Sequence, residues 1–218
     1  MKLQSTSIFP YIKDNPELCE TVSFQRNSYI IRASDVDSYV WYLVEGQVKV
    51  IANGSNGKCI VVDMIDEDNF VGHLSNYYEQ NFYCDSIAVT NCTLVRIPIN
   101  KFNEMMKGLE FSRLFFMKTS ARLYIMYKMD LVNHLFTQQQ QFAYYLLSNV
   151  KGDICYIQSL YRICEFLRVS RRNLYNLIDK FMAEGYLERL DDGKIHILDF
   201  DAMREIQKPV ADFMHNKI

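Results

Sequence analysis

The segment from Ser159 to Leu198 constrains this chain most, because its punctuation leaves few ways to fold it. Ser159 is suited to cap a helix in which Leu160, Ile163 and Leu167 recur on one face. Arg168-Val169-Ser170 has the length of a tight turn, with Val169 apolar enough to bury and Ser170 placed to cap a second helix. Cys164 is small, which lets that second helix pack closely across the first. There Leu174, Leu177, Ile178 and Phe181 form an inward stripe, leaving Arg171, Arg172, Tyr175 and Asn176 facing out near the N-terminal end. Glu184-Gly185-Tyr186-Leu187 ends the helix. Leu187 to Leu190 then pair with Ile195 to Leu198 across Asp191-Asp192-Gly193-Lys194 as a β-hairpin. Two amphipathic helices alone would be ordinary packing. The cap–turn–cap spacing, the outward arginine pair and the adjoining hairpin together predict a winged helix-turn-helix, spanning about Thr137 to Leu198.

A formal charge of −2, from 24 Lys and Arg against 26 Asp and Glu, argues at first sight against nucleic acid. Binding through one local patch is insensitive to that average. Arg162, Arg168, Arg171 and Arg172 fall within one short window opposed only by Glu165, the most basic such window in the chain. Arginine matches the acceptor edge of guanine and asparagine that of adenine. Arg171, Arg172 and Asn176 are therefore the expected base contacts on double-stranded DNA. Ser159, Arg168, Ser170, Asn173, Tyr175 and Lys194 are the expected phosphate contacts.

Upstream, Phe24 to Arg96 reads as strands: Tyr29 to Ile31, Val40 to Val44, Val48 to Ala52, Cys59 to Met64, Ser86 to Val89 and Cys92 to Ile97. Gly46-Gln47 and Asn53 to Gly57 are turns, and the spacing suggests a small barrel or jelly roll. Asp14 to Glu20 reads as a short helical lead-in. After Pro98, Asn100 is the expected cap of a helix running to Lys107, ended by Gly108. From about Glu110 a long helix places Leu114, Met117, Ala121, Tyr124, Ile125, Lys128, Leu131, Val132 and Leu135 on one stripe. Phe115, Phe116, Leu123, Met126 and Tyr127 lie off it. Two apolar faces need two partners: the strand domain for one and a second subunit for the other, unless one chain covers both. Thr137 is the expected cap of a helix over Gln138 to Asn149, followed by a turn at Lys151-Gly152-Asp153.

The expected organisation is α+β in three parts. Residues 1–108 form a β-roll sensor, 109–136 a long dimerisation helix, and 137–218 the winged helix-turn-helix. Hydrophobic residues make up 49% of the chain, enough for two cores. Charges interrupt every stretch of the ~20 apolar residues a membrane span needs, and Met1 to Pro10 shows no signal-peptide pattern. The expected location is the cytoplasm. Cys19, Cys59, Cys84, Cys92, Cys155 and Cys164 include no C-x-x-C pair and are expected as buried or half-buried thiols. No phosphate-cradling glycine loop, metal-spaced His/Cys set or nucleophile–base motif occurs, so neither an enzyme, a metal nor a cofactor is expected.

These residues resemble the Crp/Fnr family of bacterial regulators over nearly the whole chain. Trp41 to Val50 matches the family's aromatic-aliphatic-x-x-Gly-x-Val-x-Val signature in its cyclic-nucleotide-binding-type β-roll. Asp68-Asn69-Phe70-Val71-Gly72-His73-Leu74 is similar to its Gly-Asp-aromatic-aliphatic-Gly-Glu-Leu turn, and Gln141 to Leu147 to the helix before the DNA module. Ser170-x-Arg172-x-Leu174 and Phe181-x-x-x-Gly185-x-Leu187 look most like the YeiL-type branch. The resemblance implies a homodimer on a palindromic operator and an effector pocket at Gly72, His73, Leu74, Phe82 and Tyr83. It admits RNA polymerase as a further partner, with no residues assigned to it. Where cyclic-AMP-binding members carry a Glu and an Arg-Ser pair, this chain has His73 and Phe82-Tyr83. Burying a cyclic phosphate without a cation is costly, so cyclic AMP is not the expected effector. The family's Ser-Arg-Glu-Thr-aliphatic-x-Arg becomes Ser170-Arg171-Arg172-Asn173-Leu174-Tyr175-Asn176, which implies a different operator. The effector stays unidentified. A ligand-sensing β-roll protein whose helical tail contacts protein rather than DNA stays open as the alternative.

Overall fold

The computed structural model describes residues 2–33, 38–54, 57, 59–72, 84–157, 160–190 and 193–215, the side chains of Tyr161, Arg162 and Glu165 excepted. The fold is α+β, in two compact units, Met1–Tyr124 and Ile125–Ile218, that divide inside the long helix.

The first unit carries eight strands: β1 (Thr21–Phe24), β2 (Tyr29–Ile31), β3 (Tyr39–Glu45), β4 (Gln47–Asn53), β5 (Cys59–Asp66), β6 (Asn69–Val71), β7 (Cys84–Ala88) and β8 (Cys92–Pro98). They form two antiparallel four-stranded sheets, ordered β1-β8-β3-β6 and β2-β7-β4-β5. Strand β3 is the common wall of two cores. Its Trp41 and Leu43 join Val48, Ile65, Val71, Ala88 and Leu94 between strands of both sheets. Val40, Tyr42 and Val44 point the other way, into a core closed by the helices α1 (Phe9–Ile12) and α2 (Ile99–Met105) and the start of α3 (Leu109–Leu135). A strand buried on both faces reads as a continuous apolar run, which explains the unbroken Val40 to Val44. Phe70 centres the second core. Its ring meets Tyr42 at 4.8 Å, Phe115 at 5.1 Å and both Phe102 and Phe111 at 6.1 Å, all edge to face.

Asp68, in the turn before β6, adopts φ +62° at a place where the Crp/Fnr pattern has glycine. Asp tolerates the left-handed region better than most residues, and here its carboxylate is fully used. Oδ1 accepts from Ser7 N and Tyr42 OH, each at 2.7 Å; Oδ2 accepts from Ser7 Oγ and Lys118 Nζ, each at 2.6 Å. One turn further along α3, Arg122 donates to Phe70 O at 2.6 Å and pairs with Asp63. Phe111, Phe115, Lys118 and Arg122 therefore form the row of α3 that faces its own β-roll. That row runs through Phe115, which the helical stripe had left out. Met117, Ala121, Tyr124 and Ile125 of the expected stripe are exposed, as are Phe116, Leu123 and Tyr127, while Leu114 is half-buried.

The second unit holds the end of α3, α4 (Gln138–Asn149), α5 (Leu160–Leu167), α6 (Arg171–Ala183), α7 (Phe200–His215) and a sheet ordered β11-β12-β10-β9. Its strands are β9 (Val150–Lys151), β10 (Ile154–Tyr156), β11 (Leu187–Leu190) and β12 (Lys194–Ile197). Thr137 caps α4 in a full capping box with Gln140. Val132 is buried, and Lys128 donates to Met214 O at 2.6 Å beside the Phe213 ring. Lys128 is thus turned to α7, and Leu131 is half-buried.

Several elements differ from expectation. Asn100 lies inside α2, which starts at Ile99 with Pro98 in the cap position; the Asn100 carboxamide accepts from Lys101 N instead. The lead-in is a single 3₁₀ turn, Pro16–Leu18, preceded by α1. Strands β1, β6, β9 and β10 are too short to show a period, and β10 turns the Lys151-Gly152-Asp153 bend into a hairpin. Helix α7 lies beyond the last element the sequence pattern predicts, although Asp199 Oδ1 accepts from Ala202 N as a helix cap does; Pro209 in its interior masks the pattern. Cys59 is exposed at a strand end rather than buried, whereas the other five cysteines are buried or half-buried and all six are free thiols.

Burial pushes the Asp68 carboxyl up, but the hydrogen bonds from Lys118, Ser7 and Tyr42 outweigh it and leave a net pKa below the usual carboxylate range. A depressed pKa contributes stability that is present above the unfolded value and lost as pH falls through the folded one. Urea unfolding followed between neutral pH and pH ~3 should show Asp68→Asn less stable than the parent at neutral pH, with a shallower acid decline.

Candidate nucleic-acid interface

Helix α6 is oriented by what it buries. Leu174, Leu177, Ile178 and Phe181 join Ile163, Cys164 and Leu167 of α5, Phe142, Ala143 and Leu146 of α4, and Leu187, Ile195 and Ile197 of the β11–β12 wing. Phe181 meets Phe142 at 5.3 Å and Tyr186 at 5.7 Å, edge to face, so the far end of α6 is held from two sides. With that stripe inward, Arg171, Arg172, Asn173 and Asn176 are exposed. Among the described residues no carboxylate pairs with Arg171 or Arg172.

The turn between α5 and α6 is built as the spacing predicts. Val169 is buried and its N–H bonds to Cys164 O at 3.0 Å. Ser170 is the N-cap of α6, its hydroxyl oxygen accepting from Asn173 N at 3.2 Å. Arg168 carries the left-handed step of the turn at φ +51°, and its guanidinium pairs with Asp130 Oδ1 at 2.8 Å. Tyr175 is half-buried, with the Arg189 guanidinium 5.4 Å over its ring. Lys194 opens β12, one residue earlier than expected, its ammonium 5.9 Å from the Tyr156 ring. Ser159, the Arg162 side chain and the Asp191-Asp192 tip of the wing lie outside the described residues.

On the opposite face of the wing, His196 Nδ1 lies 2.7 Å from Glu188 Oε1 and Nε2 lies 3.2 Å from Asp153 Oδ2. Glu188 chiefly, with Asp153, raises the His196 pKa. The two carboxylates sit on opposite ring nitrogens, so the trio ties β11, β12 and the β9–β10 turn together rather than enclosing one point.

Comparison with known proteins is consistent with this geometry. The model of the cyclic nucleotide-binding domain matches residues 21–108. The chain is 23% identical over 176 residues, 78% of each chain, to the curated regulatory protein YeiL of Escherichia coli O157:H7. A CRP/FNR-family transcriptional regulator from Thermus thermophilus superposes with TM-score 0.65 at 19% identity, covering 87% of this chain and 98% of that one. A putative regulator of the same family from Eubacterium rectale ATCC 33656 gives TM-score 0.68 at 17% identity, covering 94% and 95%. The chain has the Crp/Fnr regulator fold.

Residues 21–108 are thus similar to the cyclic nucleotide-binding domain, and α5, α6 and the β11–β12 hairpin follow one another as two helices and a wing. Of the expected effector-pocket residues, His73, Leu74, Phe82 and Tyr83 lie outside the described residues, as do Tyr77 and Tyr78. Gly72 is described, and its φ of +78° is the left-handed backbone that favours glycine; a Cβ there would also stand 2.2 Å from Ile31 Cδ1, a side-chain tip that would have to turn aside. Sequence reasoning missed Arg189, Tyr156 and His196. Each sits on a short strand whose neighbours only the sheet register brings near. No helix among the described residues is long and apolar enough to cross a membrane, and no cluster of His, Cys, Asp and Glu there could hold a metal ion.

Removing the Ser170 cap leaves orphan N–H groups at the start of α6. Ser170→Ala should lower the unfolding free energy by about 0.5–2 kcal/mol, and Ser170→Asp should recover most of it, in chemical denaturation.

Proposed function

We propose that this chain is a sequence-specific transcription regulator that binds duplex DNA as a homodimer. One observation carries the reading: the burial of Leu174, Leu177, Ile178 and Phe181 leaves Arg171, Arg172 and Asn176 exposed on the outward face of a capped helix, with no carboxylate paired to either arginine among the described residues. Charged forks left without an internal partner suit guanine edges, and Asn176 suits adenine. Phosphate contacts fall to Arg168, Ser170, Asn173 and Lys194, with Ser159 assigned from the sequence alone. A phosphate taken by Arg168 would replace the exposed Asp130 partner at little cost.

In this reading residues 1–108 are the sensor, 109–136 the dimerisation helix and 137–218 the DNA head. The dimer is supported by the exposed apolar side chains of α3, among them Met117 and Tyr127, each 64% exposed. A helix carrying Phe116, Met117, Leu123, Tyr124 and Tyr127 in water is paired in a stable regulator. A two-fold dimer implies half-sites about one helical turn, ~34 Å, apart. The pocket does not take cyclic AMP, because Phe82 and Tyr83 replace the residues that would neutralise its phosphate. The setting is the bacterial cytoplasm, with RNA polymerase as a further partner.

Selection of bound duplexes from random DNA should return a palindrome with guanine opposite Arg171 or Arg172. Arg172→Ala should cost about 1–3 kcal/mol on that operator and relax preference at one base pair, as read by titration against single-base variants. Equal loss on every sequence would remove Arg172 from base reading. Met117→Glu should shift the protein toward monomer in sedimentation velocity and weaken operator binding in parallel.

A further inference from the structure

The wing contains one residue that violates the pattern of its own strand. In the β11–β12 ladder Leu187 pairs with Ile197 and Arg189 with Ile195, so alternation puts all four on one face of the sheet. Leu187, Ile195 and Ile197 are buried in the core of the helix-turn-helix. The same rule asks for an apolar residue at 189, and the chain has arginine. Such local violations concentrate at functional positions.

The Arg189 guanidinium rests on an aromatic face. It lies 5.4 Å over the ring of Tyr175, and among the described residues no carboxylate pairs with it. Its strand neighbour Glu188 is on the other face, engaged with His196. The register thus puts Arg189 and Glu188 on opposite faces of the wing. Arg189 lines a cleft of about 190 Å³ between wing and helices, together with Ile157, Leu160, Ile178 and Lys194. Tyr175 follows Arg171 by one helical turn, so Arg171, Tyr175 and Arg189 form one continuous row from α6 onto the wing.

Resting on the reading of α6 as a DNA-binding helix, we propose that Arg189 is a phosphate-binding residue of the interface and Tyr175 its positioning residue. The aromatic face holds the guanidinium plane by cation–π attraction. The N–H fork then stays free for two phosphate oxygens, the geometry arginine binds best. Tyr175 acts through its ring and not by its own hydroxyl, which differs from the direct phosphate contact that sequence spacing assigns to it.

The test uses the full chain, a selected operator duplex and a random duplex of equal length, followed by fluorescence anisotropy over a salt series. Arg189→Gln should weaken binding by a similar factor on both duplexes and reduce the slope of log K against log salt by about 0.9. Tyr175→Phe should keep parental affinity and slope, whereas Tyr175→Ala should match Arg189→Gln. The double variant should be no weaker than either single one. Arg189→Lys, which keeps charge without the planar fork, should retain the slope and lose part of the affinity, and it guards against a glutamine variant that misfolds. An unchanged slope in folded Arg189→Gln overturns the inference alone, as does Tyr175→Phe falling to the level of Tyr175→Ala. A parent protein that binds neither duplex overturns the DNA-binding reading and this inference with it.

Discussion

The rotation of α6 about its own axis is the constraint on which the candidate interface depends. Four side chains, Leu174, Leu177, Ile178 and Phe181, must leave water together, and only one rotational setting buries all four. Everything chemically interesting on that helix is what remains outside. The core that receives the stripe is assembled from α4, α5 and the wing, so no single neighbour sets the angle. Phe142 and Tyr186 bracket Phe181, and Ser170 with Val169 fixes the first turn. A helix held at both ends presents its arginines in a defined direction, which base reading requires.

The first unit is organised by a comparable economy at Asp68 and Phe70. Two residues separated by one position, Asp68 in the turn and Phe70 on β6, supply a four-way acceptor and the hub of an aromatic cluster. Between them they anchor the N-terminal segment, β3 and the first turns of α3. Substituting Asp for the glycine of the Crp/Fnr pattern is tolerated because the carboxylate replaces backbone freedom with hydrogen bonds. The consequence for α3 is geometric: once Phe111, Phe115, Lys118 and Arg122 face the β-roll, Phe116, Leu123, Tyr124 and Tyr127 are turned outward. The proposed dimer follows from that division of the helix surface.

Legibility in the sequence tracked the length and period of each element. Helix α4 was readable to the residue because Thr137 and Gln140 form a capping box and its apolar face repeats cleanly. The α5–turn–α6 unit was readable for the same reason. The long helix was readable as a helix, but its facing row was not, since apolar residues occur on every side and periodicity cannot rank them. Asn100 misled because a good capping residue adjoined a proline that took the cap position itself. Strands of two to four residues carry no usable period: β11 and β12 were readable through the turn that joins them, whereas β1, β6, β9 and β10 emerge only from pairing.

By itself the sequence determined the α+β class, the strand-rich first part, the long helix and the helix–turn–helix with its wing. It also determined which side chains of α6 face outward, because those properties follow from local caps and from helical and strand period. The tertiary structure alone decided which row of α3 meets its own β-roll, that Arg168 finds Asp130, and that Lys128 turns to α7. It alone set Arg189 over Tyr175. Each of these joins residues distant in sequence, and their proximity depends on sheet register and on how helices stack, which no local pattern encodes. The wing shows the boundary most clearly. Its existence is written in Asp191-Asp192-Gly193-Lys194, while the role of its one misplaced arginine appears only when the strand lies beside the helix.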